Sequence, residues 1–456
     1  MNGSPSLASD ANCSEPSEFP KTSLLSSIFS SLSTFRNQSD SHSPKKKSRG
    51  RINGWALTLK KISLSVPMQR IHDRMLGPSK TVISTHHDTW LLGLRHKLSQ
   101  DDMDNTSGFS SFMEDFSSRI LITYRKGFDP IADTKYTTDA NWGCMLRSSQ
   151  MLVAQALLVH KLGRSWRKNP SQIIPEYIEI LRLFGDSEAS PFSIHNLLEA
   201  GKAYGLVAGM WIGPYAMCCS WKSLAASKTA VFQSIPIAVY VVSSDANGER
   251  GGAPVISIED TSKHCLAVSN GESYWTPVLI LIPLVLGLEK INQRYIPSLQ
   301  ATLTFPQSLG ILGGRPGAST YIVAAQDSNA FYLDPHCCQQ VVFMPGVLIN
   351  FYIFYQVVWI NEGDVAADTS TYHCDVLRQV QFESLDSSLA IGFYCRDKDD
   401  FGDLCSRASK LSEESNGAPL FTVVDGSVHI GEVQDEFLID GGECDTCSND
   451  DEWQLL

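Results

Sequence analysis

Between about residues 66 and 396 the apolar positions recur with helical and strand periods, and on both flanks that order stops. In "SSQMLVAQALLVHKLG" (Ser148–Gly163) an apolar stripe of Ala154, Leu157, Leu158 and Leu162 predicts a helix over Ser148–Leu162, ended by Gly163. "IPEYIEILRLFG" (Ile174–Gly185) predicts a second amphipathic helix, and "SIHNLLEAGKAYG" (Ser193–Gly205) a third with Ser193 as N-cap. The β-branched run "SIPIAVYVVSS" (Ser234–Ser244) predicts a buried strand. "STYIVAAQDSNAFYLDPH" (Ser319–His336) predicts a hairpin turning at Asp327-Ser328-Asn329. "YWTPVLILIPLVLGL" (Tyr274–Leu288) is too short to span a bilayer comfortably and is interrupted by Pro277 and Pro283, so it reads as a buried strand pair or strand-turn. "VVFMPGVLINFYIFYQVVWI" (Val341–Ile360) is apolar throughout and buried in either conformation. Helices and antiparallel strands alternate without a βαβ rhythm or an internal repeat, which predicts an α+β fold. The expected limits are a disordered Ser/Asn/Pro/Lys-rich tail over 1–65, a globular domain over 66–396, and an acidic mobile tail over 397–456.

Charge sharpens this division. The chain of 456 residues carries a net charge of −12, and Arg396–Leu456 alone holds 16 acidic and 4 basic residues, the whole imbalance. The basic run "KKKSRGR" (Lys45–Arg51) is short and Ser-flanked, a solvated linker rather than a nucleic-acid surface. Twelve cysteines in a chain of this length are not a disulfide scaffold, and "MNGSPSLASDANCSEPSEF" lacks an apolar core segment. The expectation is a soluble, cytoplasmic, monomeric protein with reduced thiols and no nucleic-acid partner.

Two stretches carry candidate chemistry. "TTDANWGCMLRSSQ" (Thr137–Gln150) puts Cys144 behind a glycine, a few residues before the Ser148 helix, where the helix dipole favours a thiolate. Taken alone, Cys144 reads either as a small core residue or as a nucleophile. "FYLDPH" (Phe331–His336) sets Asp334 and His336 two apart at a strand end, on one face of an extended chain, so a carboxylate can orient an imidazole. An Asp-Pro turn with a surface histidine fits the same letters. His86-His87, His160, His264-Cys265, His373-Cys374, Cys218-Cys219 and Cys337-Cys338 have no metal-ligand spacing. "ECDTC" (Cys444, Cys447) is a lone C-x-x-C in the acidic tail, and "GGRPG" (Gly313–Gly317) lacks the phosphate-loop lysine. No metal or organic cofactor is expected.

Cys144 precedes Asp334 by 190 residues, with His336 two further on. In this order, "YTTDANWGCMLRSSQMLVAQAL" resembles the nucleophile signature of the autophagy cysteine proteases, the autophagins. "TYRKGFDPI" (Thr123–Ile131), "MWIGPY" (Met210–Tyr215) and "FPQSLGILGGRPGASTYIVAAQDSNAFYLDPHCCQ" (Phe305–Gln339) resemble their other motifs, covering about Tyr124 to Phe393. The resemblance implies a papain-like fold with a small inserted subdomain. It implies Cys144 as nucleophile, His336 as base, Asp334 as orienting acid and Tyr124 as an oxyanion donor. Trp211 and Trp142 would line the substrate channel, and Pro306 would belong to the loop that gates it. The implied partners are ubiquitin-like autophagy modifiers, cleaved after a C-terminal glycine or released from phosphatidylethanolamine, with transient membrane contact through the lipidated substrate. In "DDEWQLL" (Asp450–Leu456), Trp453 and Leu456 have the aromatic-x-x-aliphatic spacing of modifier-binding motifs. A weakly catalytic protein that binds modifiers through this tail is the alternative.

Overall fold

The computed structural model describes residues 83–84, 87–98, 106–169, 174–227, 235–242, 252–269, 274–313, 318–340 and 369–427. The 1–65 tail, the 341–360 apolar run, Cys444, Cys447, Trp453 and Leu456 lie outside them. The architecture is α+β, with eight α-helices and a nine-stranded sheet among the described residues.

The sheet runs in the order β11 (Arg378–Gln381), β9 (Asn329–Leu333), β8 (Thr320–Gln326), β7 (Ser308–Gly313), β12 (Ser388–Cys395), β6 (Val278–Val285) and β4 (Ala238–Val241). The pair β1 (Thr89–Leu91) and β2 (Leu94–His96) joins through β8. Neighbours are antiparallel except β4 and β6. Tyr274–Leu288 thus holds one eight-residue strand, not a strand-turn. Pro283 is tolerated there because the ladder with β4 ends at Leu281, leaving no partner on that flank for the N–H that proline lacks. The predicted hairpin forms as β8 and β9, with Asp327 in the left-handed region at φ 50.

Alternation along the strands splits the core in two. Leu279, Leu281, Ala390 and Tyr394 face one cluster, and Ile280, Ile282, Ile391 and Phe393 the other. The first face carries the long helix α2 (Cys144–Leu162), buried from Cys144 to Leu158, with α3 (Pro175–Leu183), α4 (Ile194–Ala200) and α5 (Pro214–Ala226) packed around it. Ser193 caps α4 as expected, its Oγ accepting from Asn196 N at 3.3 Å. Gly392 lets α2 approach the sheet: a Cβ there would stand 2.8 Å from Leu152.

The second face corrects the expected boundary at 396/397. Asp397 caps a 16-residue helix, α8 (Lys398–Glu413), through Asp400 N at 2.8 Å. Phe401, Leu404, Cys405 and Ala408 form its buried stripe against the sheet. Structure continues to β13 (Thr422–Val424), paired with β5 (Val255–Ser257). High charge hides the helix from composition, but a narrow stripe at i, i+3, i+4 and i+7 suffices to bury one face. Among the described residues no helix is long and apolar enough to cross a membrane.

Candidate active site

Cys144 is the first residue of α2 and is fully buried, so the helix begins four residues earlier than its apolar stripe suggests. The sulfur therefore sits at the positive helix end, beside N–H groups that have no intrahelical acceptor. Gly143 has an ordinary φ of −85, so backbone freedom is not why glycine stands here. Space is: a Cβ would lie 2.6 Å from the Asp139 carboxylate. The left-handed residue of this turn is Asn141, at φ 75.

Asp334 and His336 come together through a turn rather than through strand alternation. β9 ends at Leu333, and Asp334 Oδ1 accepts the backbone N–H of His336 at 3.1 Å, an Asx-type turn. The same oxygen lies 2.6 Å from His336 Nδ1. The turn and the functional pair, rivals in the sequence, are one object. Arg378, opposite Tyr332 on β11, brings Nε to 3.6 Å from Asp334 Oδ2, a contact that no local pattern announces.

Burial works to raise the Cys144 pKa, but the hydrogen bond and positive charge of His336 outweigh it and hold the thiol below its ordinary range. Burial likewise disfavours the His336 imidazolium, and Asp334 and Cys144 overcome this and raise its pKa to about 9. The two shifts share one cause, the contact between Cys144 and His336. Tyr124 packs edge-on against His336, with ring centroids 5.4 Å apart and planes at 85°. Its hydroxyl is buried without a hydrogen-bond partner of good geometry among the described residues. Burial first, and then the neighbouring Cys144 thiolate, push this phenol far up, so it stays protonated.

Trp142 is buried and donates Nε1 to Thr138 O at 3.0 Å. Its ring meets Tyr136 at 5.7 Å, and Gly209, at φ +85, lies so close to the hydroxyl end of Tyr136 that a Cβ there would collide with it. The segment holding Trp211 thus packs one ring away from Trp142, with Trp211 itself 41% exposed. Pro306 is placed elsewhere. It precedes β7, at the end that pairs with Phe393, and it lines a cavity with Leu92, Tyr394, Asp397 and Asp400. The opposite end of β7, at Gly313, is level with Thr320, next to the Ser319 whose backbone hydrogen-bonds Cys144. Six strand residues, roughly 17–20 Å, lie between the two ends, so Pro306 does not border the thiol. The segment that joins β7 to β8 at the Cys144 end is 314–317, outside the described residues.

A charged cluster beneath the site went unremarked in the sequence. Asp139, Arg147, Arg125 and Asp186 are all buried, with Arg147 Nε 2.7 Å from Asp139 Oδ2 and Nη1 2.8 Å from Asp186 Oδ1.

Comparisons with known proteins converge on this region. The peptidase C54 catalytic domain matches residues 109–407. The chain is 56% identical to cysteine protease ATG4 of Medicago truncatula, covering 91% of this chain and 85% of that one. It is 50% identical to cysteine protease ATG4a of Arabidopsis thaliana (99% and 94% covered) and 32% identical to cysteine protease ATG4B of Xenopus laevis (75% and 84% covered). The chain belongs to the peptidase C54 family and is an autophagy-related cysteine protease.

Proposed function

We propose that this cysteine protease hydrolyses the bond after the C-terminal glycine of ubiquitin-like autophagy modifiers, maturing their precursors and releasing them from phosphatidylethanolamine. The observation that carries the reading is the meeting of a depressed Cys144 thiol, a raised His336 held by Asp334 at 2.6 Å, and a protonated, buried Tyr124 hydroxyl.

Cys144 Sγ, as thiolate, attacks the glycine carbonyl carbon, and the carbonyl oxygen becomes an oxyanion. The Tyr124 O–H and the backbone N–H groups at the start of α2 donate to that oxygen. Collapse expels the amine, protonated by His336, and leaves a thioester on Cys144. His336 then takes a proton from water, which attacks the thioester and frees the modifier's carboxylate. Asp334 keeps Nδ1 in the donor role and balances the imidazolium charge. The Trp142–Tyr136–Gly209 wall and the half-exposed Trp211 suit a narrow channel, and glycine brings no side chain into it. Trp453 and Leu456 add modifier affinity by laying an extended tail on a sheet edge. The protein acts as a cytoplasmic monomer and touches membrane only through lipidated substrate.

Replacing Cys144 by Ser and incubating the variant with a modifier precursor and with the lipid conjugate tests the assignment. Both cleavages should vanish, and cleavage at the wild-type rate would refute the nucleophile. Deleting Trp453–Leu456 should weaken modifier binding while iodoacetamide still labels Cys144. Unchanged affinity removes the tail from the reading. Binding without turnover in the wild-type protein would favour a modifier-binding role instead.

A further inference from the structure

Asp139 is wholly buried five residues before Cys144, and the reaction above gives it no part. Its surroundings are nevertheless specific. Arg147, one turn inside α2, reaches back with Nε 2.7 Å from Asp139 Oδ2 and Nη2 3.3 Å from Oδ1. Asp139 Oδ1 accepts the backbone N–H of Arg125 at 2.7 Å, and Asp139 N donates to Arg125 O at 3.3 Å. The Asp139 carbonyl accepts from Trp142 N at 3.2 Å and Gly143 N at 2.8 Å. One residue therefore ties the chain just after Tyr124 to the turn just before Cys144. On its other flank Tyr124 N donates to Pro335 O at 2.8 Å, between Asp334 and His336. Gly143 belongs to the same device, since any Cβ there would collide with the Asp139 side chain.

A buried ion pair is a poor way to gain stability, because desolvation cancels most of its attraction. It is a good way to fix geometry: the paired fork of Arg147 allows Asp139 one orientation. An oxyanion site has need of that, since its donors must be held within about 0.5 Å of their productive positions. We propose that Asp139, locked by Arg147, is a positioning residue that sets the Tyr124 hydroxyl against the Cys144 amide and so shapes the oxyanion site. The inference rests on the reading of Tyr124 as oxyanion donor. It separates two halves of the chemistry. Thiolate formation draws mainly on His336 and Asp334, which Asp139 does not touch, with smaller help from the Tyr124 hydroxyl and the α2 amides, whereas oxyanion binding draws on Tyr124 and the α2 amides alone.

Iodoacetamide separates these halves, because its alkylation of Cys144 needs the thiolate but forms no oxyanion. Asp139→Asn keeps the carbonyl bonds to Trp142 and Gly143 and removes the charge that Arg147 grips. With a glycine-terminated modifier precursor as substrate, kcat should fall on the order of 10-fold, less than the roughly 100- to 1000-fold for outright loss of an oxyanion donor. KM should stay at its wild-type value, and the iodoacetamide rate should fall far less than kcat. Tyr124→Phe should show the same pattern, and the double variant should be no slower than Tyr124→Phe alone, as expected for groups acting as one unit. Arg147→Lys, which keeps the charge but loses the fork, should show the same pattern with a smaller fall. Alkylation falling in step with kcat overturns the proposal, as do multiplying effects in the double variant or a wild-type kcat in Asp139→Asn while Tyr124→Phe is impaired. Failure of both Asp139→Asn and Arg147→Lys to fold overturns it as well, by making the pair a scaffold element. A wild-type kcat in Tyr124→Phe would instead refute the oxyanion reading on which the proposal stands.

Discussion

Asp334→Asn isolates the charge that sustains the thiolate–imidazolium pair. The 2.6 Å contact between Asp334 Oδ1 and His336 Nδ1 puts the two charge centres about 4 Å apart, worth about 4 kcal/mol at an effective dielectric constant of about 20. That energy corresponds to about three pKa units. Solvent that reaches the pair beside Arg378, 3.6 Å from the other carboxylate oxygen and half exposed, screens part of it, so a fall of about two units is expected. His336 titrates at about 9 in the native site, and it would then drop to about 7. The sign follows from the pair. The imidazolium stabilises the thiolate at every pH below the His336 pKa, so lowering that pKa returns the sulfur to its protonated, unreactive form near neutrality. Rates of iodoacetamide alkylation measured from pH 4 to 10 report this directly. Wild type should show a reactive plateau across neutral pH that reaches far to the acid side of an ordinary thiol. Asp334→Asn should react on the order of 10-fold more slowly near pH 8, where only about a tenth of its His336 stays charged, with its inflection moved toward that of a free cysteine. Superimposable profiles for the two proteins would refute the assignment of Asp334 as the charge behind His336.

Three further outcomes follow from packing and charge. Gly143→Ala places a Cβ 2.6 Å from the Asp139 carboxylate, so it should cost about 1–3 kcal/mol in urea denaturation and lower kcat; a silent substitution would show that the turn yields. Gly209→Ala loses the φ +85 conformation and strikes the Tyr136 ring, which should raise KM while Cys144 alkylation stays unchanged; an unaltered KM would detach this wall from substrate binding. Asp115 is fully buried among Arg119, Arg164 and Arg167, each within 3.1 Å, with His96 Nε2 at 3.0 Å. Asp115→Ala should destabilise by about 3–5 kcal/mol, because the buried Arg119 loses its counterion, and a melting temperature equal to wild type would contradict this.

Much of the site was legible because its signals are local. A cysteine entering a helix and an Asp-x-His at a strand end are patterns a few residues wide, and both α2 and the β8–β9 hairpin formed from periodicities visible in the chain. Local reading also failed in instructive ways. The apolar stripe of α2 starts at Ala154, yet the helix starts at Cys144, because its first turns bury the polar Arg147, Ser148, Ser149 and Gln150 as well as Met145 and Leu146, and so break the stripe. Gly143 stands where it does because the Asp139 side chain leaves no room for a Cβ, a cause that the local letters do not show. The acidic Arg396–Glu414 stretch looked like solvated tail because its mean polarity masks the four buried positions of α8.

The sequence by itself determined the class of chemistry. Residue types and their order point to a cysteine protease, the class its family shows, and hydrophobic periods name α+β, because both are properties of short segments. Tertiary structure alone decided who stands next to whom. Strand order departs from chain order, with β12 inserted between β6 and β7, so proximity across the sheet cannot be counted along the chain. The length of β7 keeps Pro306 from the thiol, the pairing of β11 with β9 brings Arg378 to Asp334, and Tyr124 meets His336 edge-on across 212 residues. The Asp139–Arg147 clamp is the sharpest case. A buried charge pair is invisible to hydropathy, which expects such residues outside, and it exists only because the fold supplies each charge with its partner.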